Sequence, residues 1–195
     1  MTGAEACVIL AAGRGVRFGS DKRQAKGPWR GPLLHHVIGL YRPHFAKLAV
    51  VSGPEDAFGA EACALFSATL LVNATPELGM GSSLAVGAAW LIREEVTAAI
   101  VALADMPWIA QETIVAIAQA AGPSVPVAPF YDGMAGFPRA LPARLFPALT
   151  RLSGDKGASA VFDWRKARRI DCADPGILRD IDVIGDIQQA IRGEG

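Results

Sequence analysis

Cysteine is scarce in this 195-residue chain: Cys7, Cys63 and Cys172 are odd in number, far apart and outside any CxxC spacing. That pattern excludes a disulfide framework and a cysteine zinc site, and it leaves buried thiols. No apolar run reaches membrane-spanning length, and no cationic flank precedes a signal-length apolar segment, so a soluble, cytoplasmic protein with no membrane partner is expected. Histidine is confined to His35, His36 and His44. Adjacent helical positions face different ways, so a shared metal is not expected there. Because no histidine follows the serines at 82 and 83, an α/β-hydrolase triad is excluded as well. Net charge is zero, and no global field draws nucleic acid or an anionic membrane.

What is present is a chain rich enough in hydrophobic residues, at 51%, to bury a sizeable core as a single domain over 1–195. Its 21 glycines and 13 prolines are spread between elements, and no internal repeat or linker interrupts it. An apolar strand over Ala6–Leu10 is followed by helical spacing through Leu34, Val37, Ile38 and Tyr41, then by a strand over Lys47–Ser52. A helix over Glu55–Phe66, a strand over Ala68–Val72 and a strand over Ala98–Leu103 continue the alternation. A helix over Gln111–Ala121, closed by Gly122, leads to a strand over Val125–Pro129, an Asp132-Gly133 turn and a returning strand over Ala135–Leu141. Such alternation predicts an α/β fold, a mostly parallel, Rossmann-like sheet between helical layers, with a small antiparallel extension.

The stretch LAAGRGVRFGSDK, Leu10 to Lys22, places Gly13, Gly15 and Gly19 among Arg14, Arg17 and Lys22 directly after the first strand. Glycine lets backbone N–H groups approach phosphate closely, and fixed cations neutralise it, which suggests a triphosphate cradle. The bland alternative is a tight strand-to-helix turn with solvated cations at its rim. A dinucleotide fingerprint fails on context, because Phe18 stands at the third glycine and the strand ending at Ser52 lacks a ribose-binding acid. No Walker loop is present. Between positions 14 and 30 Arg14, Arg17, Lys22, Arg23, Lys26 and Arg30 face only Asp21, so a local polyanion site is favoured over a nucleic-acid surface.

Two further stretches carry chemistry. In GMGSSLAVG, Gly79 to Gly87, Ser82 is a natural N-cap for a helix with Leu84, Ala88, Leu91 and Ile92 on its apolar face. In ALADMPW, Asp105 follows the Ala98–Leu103 strand. A carboxylate there lies where open α/β sheets bind ligands, and one carboxylate beside phosphate suits Mg²⁺; shaping the turn before Pro107 is the alternative. The basic run Arg165, Lys166, Arg168 and Arg169 reads as a solvated face.

The whole motif LAAGxxxRFGxxK resembles the signature loop of the MobA-like nucleotidyltransferases, and LAAG is similar to their molybdenum cofactor cytidylyltransferase, or MocA-like, branch. GxxxSLxxG and DMP resemble that family's second and metal-binding motifs. The resemblance implies the three-layer nucleotidyltransferase fold and transfer of CMP from CTP, favoured over GTP, to a phosphorylated acceptor, molybdopterin, with release of pyrophosphate. It implies Arg17, Lys22 and Asp105 as catalytic residues. Nucleotide would be bound by Leu10, Ala11, Ala12, Gly13, Arg14 and Gly15, with Asn73, Gly79 and Ser83. Mg²⁺ would sit on Asp105 and Asp182, the latter in a DIDVIGD tail similar to the family's ending. Gly136, Phe137, Pro138 and Asp155 would face the acceptor, and a molybdoenzyme or its chaperone is the implied partner.

The sequence departs from the family at Gly15, where the branch often has serine. It also departs at Phe137 and Ser159, where the family has histidine and arginine. The acceptor half is therefore the less well matched. A sugar- or alcohol-phosphate nucleotidyltransferase and a non-catalytic nucleotide-binding accessory protein remain as alternatives.

Overall fold

The computed structural model describes residues 3–13 and 18–192. The strands β1 (Ala6–Leu10), β2 (Lys47–Ser52), β3 (Thr69–Val72) and β4 (Ala98–Leu103) run parallel in the order β3-β2-β1-β4. The helices α1 (Leu33–Tyr41), α2 (Ala57–Leu65) and α3 (Met80–Arg93) cross between them. Beyond β4 the sheet continues through β7 (Arg139–Pro142), antiparallel to β4, to β5 (Val127–Tyr131) and the short β6 (Met134–Ala135). A strand β8 (Arg168–Asp171) pairs parallel with β5. Helix α4 (Gln111–Ala120), the short α5 (Phe146–Leu149) and α6 (Ile184–Arg192) complete the described elements.

β1 is buried along its whole length because it lies between β2 and β4 and between two helical layers. Its alternate residues divide the core. Cys7 and Ile9 pack with α1, α2 and α4 on one face, whereas Ala6, Val8 and Leu10 pack with α3 and α5 on the other. Complete burial of a side chain such as Ile9 or Ile100 contributes about 1.5–3 kcal/mol each. This is the predicted α/β, three-layer Rossmann-like arrangement with an antiparallel extension.

Several predicted limits move, each for a local reason. α2 begins only at Ala57, because Asp56 caps it by accepting from the Gly59 N–H at 3.0 Å and Glu55 is left-handed at φ 55°. β3 begins at Thr69, one residue later than predicted. Ser82 is not an N-cap. The 3-10 turn Pro76–Leu78 feeds directly into α3 through Gly79 at φ 85°, and Ser82 Oγ lies in the first turn, 2.8 Å from the Gly79 carbonyl. Trp90, not Ile92, joins Leu84, Ala88 and Leu91 in the core, since Ile92 is 44% exposed. α4 ends at Ala120, with Ala121 already extended, so Gly122 does not close it.

β5 starts at Val127, where pairing with β8 begins, and the Asp132-Gly133 turn has both residues at positive φ, 48° and 76°. The return is two strands instead of one. After β6 the Phe137 N–H turns away to the Ile177 carbonyl at 3.0 Å, Pro138 has no donor, and β7 then crosses to β4. Arg168 and Arg169 of the expected solvated run belong to β8. No helix among the described residues is long and apolar enough to cross a membrane. Cys7 and Cys63 are buried, as expected of unpaired thiols, and Cys172 is half-buried.

α3 approaches β1 closely at Gly87, where an added Cβ would lie 2.7 Å from Val8 Cγ1. Gly87→Val is expected to lower stability by about 2 kcal/mol or more through overpacking. Denaturant unfolding of the single variants and of Gly87→Val with Val8→Ala checks this: the pair must be more stable than the sum of the two losses.

Candidate active site

A cavity of about 280 Å³ opens at the carboxyl ends of β1 and β4. This is the place where strand order reverses and where open α/β sheets leave a crevice. One wall is the chain leaving β1, Leu10 to Gly13, and the next is Leu103, Ala104 and Asp105 leaving β4. The two are tied by the Ala104 N–H donating to the Leu10 carbonyl at 3.1 Å. Opposite stand Pro76, Gly79, Met80 and Ser83, with Asp155 at the rim. Thus Leu10, Ala11, Ala12, Gly13, Lys22, Gly79, Ser83, Asp105 and Asp155, far apart in sequence, share one cavity. Arg14, Gly15 and Arg17 lie outside the described residues.

Lys22 opens a 3-10 turn whose N-cap, Asp21, accepts from the Arg23 N–H at 3.1 Å. From there its Nζ donates to Asp105 Oδ2 at 2.7 Å and to the Ile181 carbonyl at 2.9 Å. Arg23 lines the same cavity but is spent on structure. It donates through Nε and Nη2 to Asp21, each at 2.8 Å, through Nη1 to Ser52 Oγ at 2.9 Å, and to Asp56. Burial alone would weaken its charge; Asp21 and Asp56 overcome that and raise its pKa. Hydrogen bonds from Arg23 in turn hold Asp21 below the usual carboxylate range. Burial pushes Asp56 up, and bonds from Arg23 and Ser52 more than offset it. The loop is therefore less positive than its cations alone imply, because Asp56 and Asp105 reach it from other elements.

Asn73 lies one layer behind the cavity wall. Its Nδ2 donates to Ser82 Oγ at 2.8 Å and Ser83 Oγ at 3.0 Å, and its Oδ1 accepts from the Thr75 N–H at 3.0 Å. Gly79 and Gly81 serve a close approach. A Cβ at Gly81 would lie 2.8 Å from the Ser153 backbone, and one at Gly79 would lie 2.4 Å from Asp155 Oδ1. The Gly81 N–H donates to Gly154 O at 2.7 Å, and the Gly154 N–H to Leu78 O at 2.6 Å, which fixes Asp155 at the rim.

The donors fit a divalent cation held by few protein atoms. Asp105 Oδ1 is buried and accepts no hydrogen bond among the described residues. Burial, then repulsion from Asp105 and Asp182, raises the pKa of Asp180, so acidic groups converge here. Among the described residues no group of three or more His, Cys, Asp or Glu side chains is placed to hold a metal alone. Water or ligand oxygens would complete the shell. Asp182 sits in the exposed turn before α6, its N–H donating to Asp186 Oδ2 at 2.7 Å.

A second cavity, about 180 Å³, adjoins the first and shares Leu10, Met80 and Asp155 with it. Phe137 lines it together with Ser159, Lys156, Arg139 and Trp164. Gly136 and Pro138 stand outside this lining, and an added Cβ at Gly136 would lie 2.3 Å from the Ile177 carbonyl oxygen. Arg23, Arg139 and Trp164 were not legible as site residues. Charge counting registers Arg23, but its partner Asp56 is set by the fold, and nothing local joins Arg139 to Trp164.

A mostly parallel sheet with a cation-and-carboxylate crevice at its switch point defines an α/β protein of the open-sheet class that binds ligands at that end. The MobA-like NTP transferase domain matches residues 7–170, and the chain belongs to that family. It is similar to Rv0371c from Mycobacterium tuberculosis H37Rv, with 26% identity, a TM-score of 0.78 and coverage of 98% of this chain and 100% of that one. A manganese complex of that mycobacterial protein superposes at TM-score 0.74 with 24% identity, covering 97% and 98%. The fold is shared with a nucleotidyl transferase from Methanothermobacter, at 20% identity, TM-score 0.78 and 97% of both chains. It is also shared with a 4-diphosphocytidyl-2C-methyl-D-erythritol synthase, at 16% identity, TM-score 0.74 and 99% and 100% coverage. No curated protein sequence matches the chain. Family and fold together support nucleotidyl transfer.

The Arg23 cluster gives a pH signature. Asp21 and Asp56 have depressed pKa values when folded, so their contribution is present above about pH 4 and is lost as pH falls through those depressed values. Arg23→Gln is expected to be less stable at pH 7 by about 3 kcal/mol. Its stability should also fall less steeply than wild type below about pH 4, measured by urea unfolding at successive pH values.

Proposed function

We propose that the protein is a cytidylyltransferase that moves CMP from CTP onto a phosphorylated acceptor in the cytoplasm and releases pyrophosphate. The acceptor indicated by the LAAG motif is molybdopterin, whose product would pass to a molybdoenzyme or its chaperone. The observation that carries this reading is the Lys22–Asp105 pair at 2.7 Å beside the Leu10–Gly13 backbone, in the crevice that also holds Gly79 and Ser83.

In this reading the base lies against Ala11 to Gly13, Gly79 and Ser83, with Asn73 orienting the serine hydroxyl. Lys22 lies beside the phosphates, and its ammonium neutralises charge that builds on the α-phosphate and leaving pyrophosphate. Arg17 is assigned the same role by its motif, together with Arg14 and the Gly15 backbone. A divalent cation, Mg²⁺, held by Asp105 with Asp182 or Asp155 nearby, would supply charge neutralisation on phosphate oxygens; the manganese complex of the mycobacterial relative supports a divalent ion. The acceptor enters along Phe137 and Asp155, on the segment positioned by Gly136 and Pro138. Little covalent work falls to the protein, so positioning and electrostatics dominate.

Thermal shifts with CTP, GTP, ATP and UTP in the presence of Mg²⁺ test the nucleotide. Stabilisation by CTP above the others, lost in Asp105→Asn, is expected. Stabilisation by GTP alone would reassign the branch, and none by any nucleotide would reject the site. With an accepted acceptor, Lys22→Ala should reduce kcat by about 10²–10³-fold in a protein that still folds but melts lower, because Asp105 loses its partner.

A further inference from the structure

The second cavity has apolar walls, formed by Leu10, Leu84, Val101 and Leu141 with the Phe137 and Trp164 rings. The same lining carries Asp155, Lys156 and Ser159, and into it the fold places an arginine that pairs with no acid among the described residues. The Arg139 guanidinium lies over the Phe137 ring at 4.5 Å and the Trp164 ring at 4.2 Å. Its Nε donates to the Gly136 carbonyl at 3.1 Å, which fixes the plane of the group. No carboxylate among the described residues pairs with it, and its Nη atoms make no hydrogen bond to a described residue. The contrast with Arg23 is direct. Arg23 has two acids and a raised pKa, whereas burial pushes Arg139 down to about 10 with nothing offsetting it.

A second observation points the same way. Trp164 Nε1 is buried and has no acceptor among the described residues. Aromatic faces hold a guanidinium but satisfy none of its Nη–H donors. A lining that offers unspent N–H donors and two cations, Arg139 and Lys156, against one carboxylate, Asp155, is complementary to an anion.

We propose that Arg139 and Trp164 anchor the anionic group of the acceptor, and that this acceptor is a phosphomonoester with a planar body. Naming the ligand as acceptor rests on the nucleotidyl-transfer reading; the anion site itself does not. Arg139 also replaces the charge missing at Phe137 and Ser159. Because the cavity shares Leu10, Met80 and Asp155 with the nucleotide crevice, a phosphate held here adjoins the α-phosphate. One of its oxygens forms the new bond to the α-phosphorus. The bond from that phosphorus to the bridging oxygen breaks, and pyrophosphate leaves with the electron pair.

Isothermal titration with phenyl phosphate as probe tests the site, with inorganic phosphate and Mg²⁺–CTP run in parallel on wild type, Arg139→Met and Trp164→Phe. Wild type should bind phenyl phosphate at least tenfold more tightly than inorganic phosphate. Arg139→Met should lose at least tenfold and Trp164→Phe severalfold, with CTP affinity within twofold of wild type in both. Trp164→Phe keeps an aromatic face but removes the pyrrole ring together with its N–H, so it gives a second, independent reading if Arg139→Met folds poorly. Equal binding of phenyl phosphate by wild type and both variants, or none by wild type, overturns the proposal, and equal binding of inorganic phosphate overturns the planar body. Absence of CTP binding with phenyl phosphate behaving as stated overturns the nucleotide reading and leaves the anion site standing.

Discussion

The site depends first on one ion pair across the open end of the sheet. Lys22 follows β1 and Asp105 follows β4, so their 2.7 Å contact ties the neighbouring central strands at the edge where their hydrogen bonding ends. The second bond of the ammonium, to Ile181, brings in the segment that precedes α6. A partly buried pair of this kind gains little net stability, because each charge gives up water to make it. Its larger effect is positional. It leaves one ammonium and one carboxylate at known places beside a glycine-bearing turn, where charge can be balanced without reorganisation.

Around that pair the charges of the loop divide into working and structural sets. Arg23 surrenders its donors to Asp21, Ser52 and Asp56, and so fastens the turn to the carboxyl end of β2 and the start of α2. Among the described residues Lys22 keeps a single carboxylate partner, and Asp105 keeps a buried oxygen that accepts no bond. Neighbouring residues of the same charge therefore differ in what they have left to offer a ligand.

The limits of β1, β2 and β4 were legible to the residue, because a strand buried on both faces shows as an uninterrupted apolar run bounded by turn residues. The cavity lining from Leu10 to Gly13, with Lys22 and Asp105, was also legible, from the glycines and cations after β1, the carboxylate after β4 and the motif resemblance. Features that were not legible had local causes in some places and non-local meetings in others. Ser82 looked like a cap until the preceding 3-10 turn ran on through Gly79, and the return after Asp132-Gly133 split because Phe137 found a partner at Ile177. The Phe137–Arg139–Trp164 cluster joins the entry to β7 to a 3-10 turn beyond α5, a distance no pattern of spacing records.

The backbone seam between α3 and the segment 153–155 has a thermodynamic meaning. Gly79 and Gly81 admit that segment so closely that it forms a shared partition, and its carboxylate, Asp155, faces the compartments on both sides. A molecule that alters the position or charge of the partition from one side changes the binding free energy on the other. Linkage makes the exchange equal in both directions. Gly79 at the cap of α3 and Gly81 in its first turn thus join the two compartments through one shared wall.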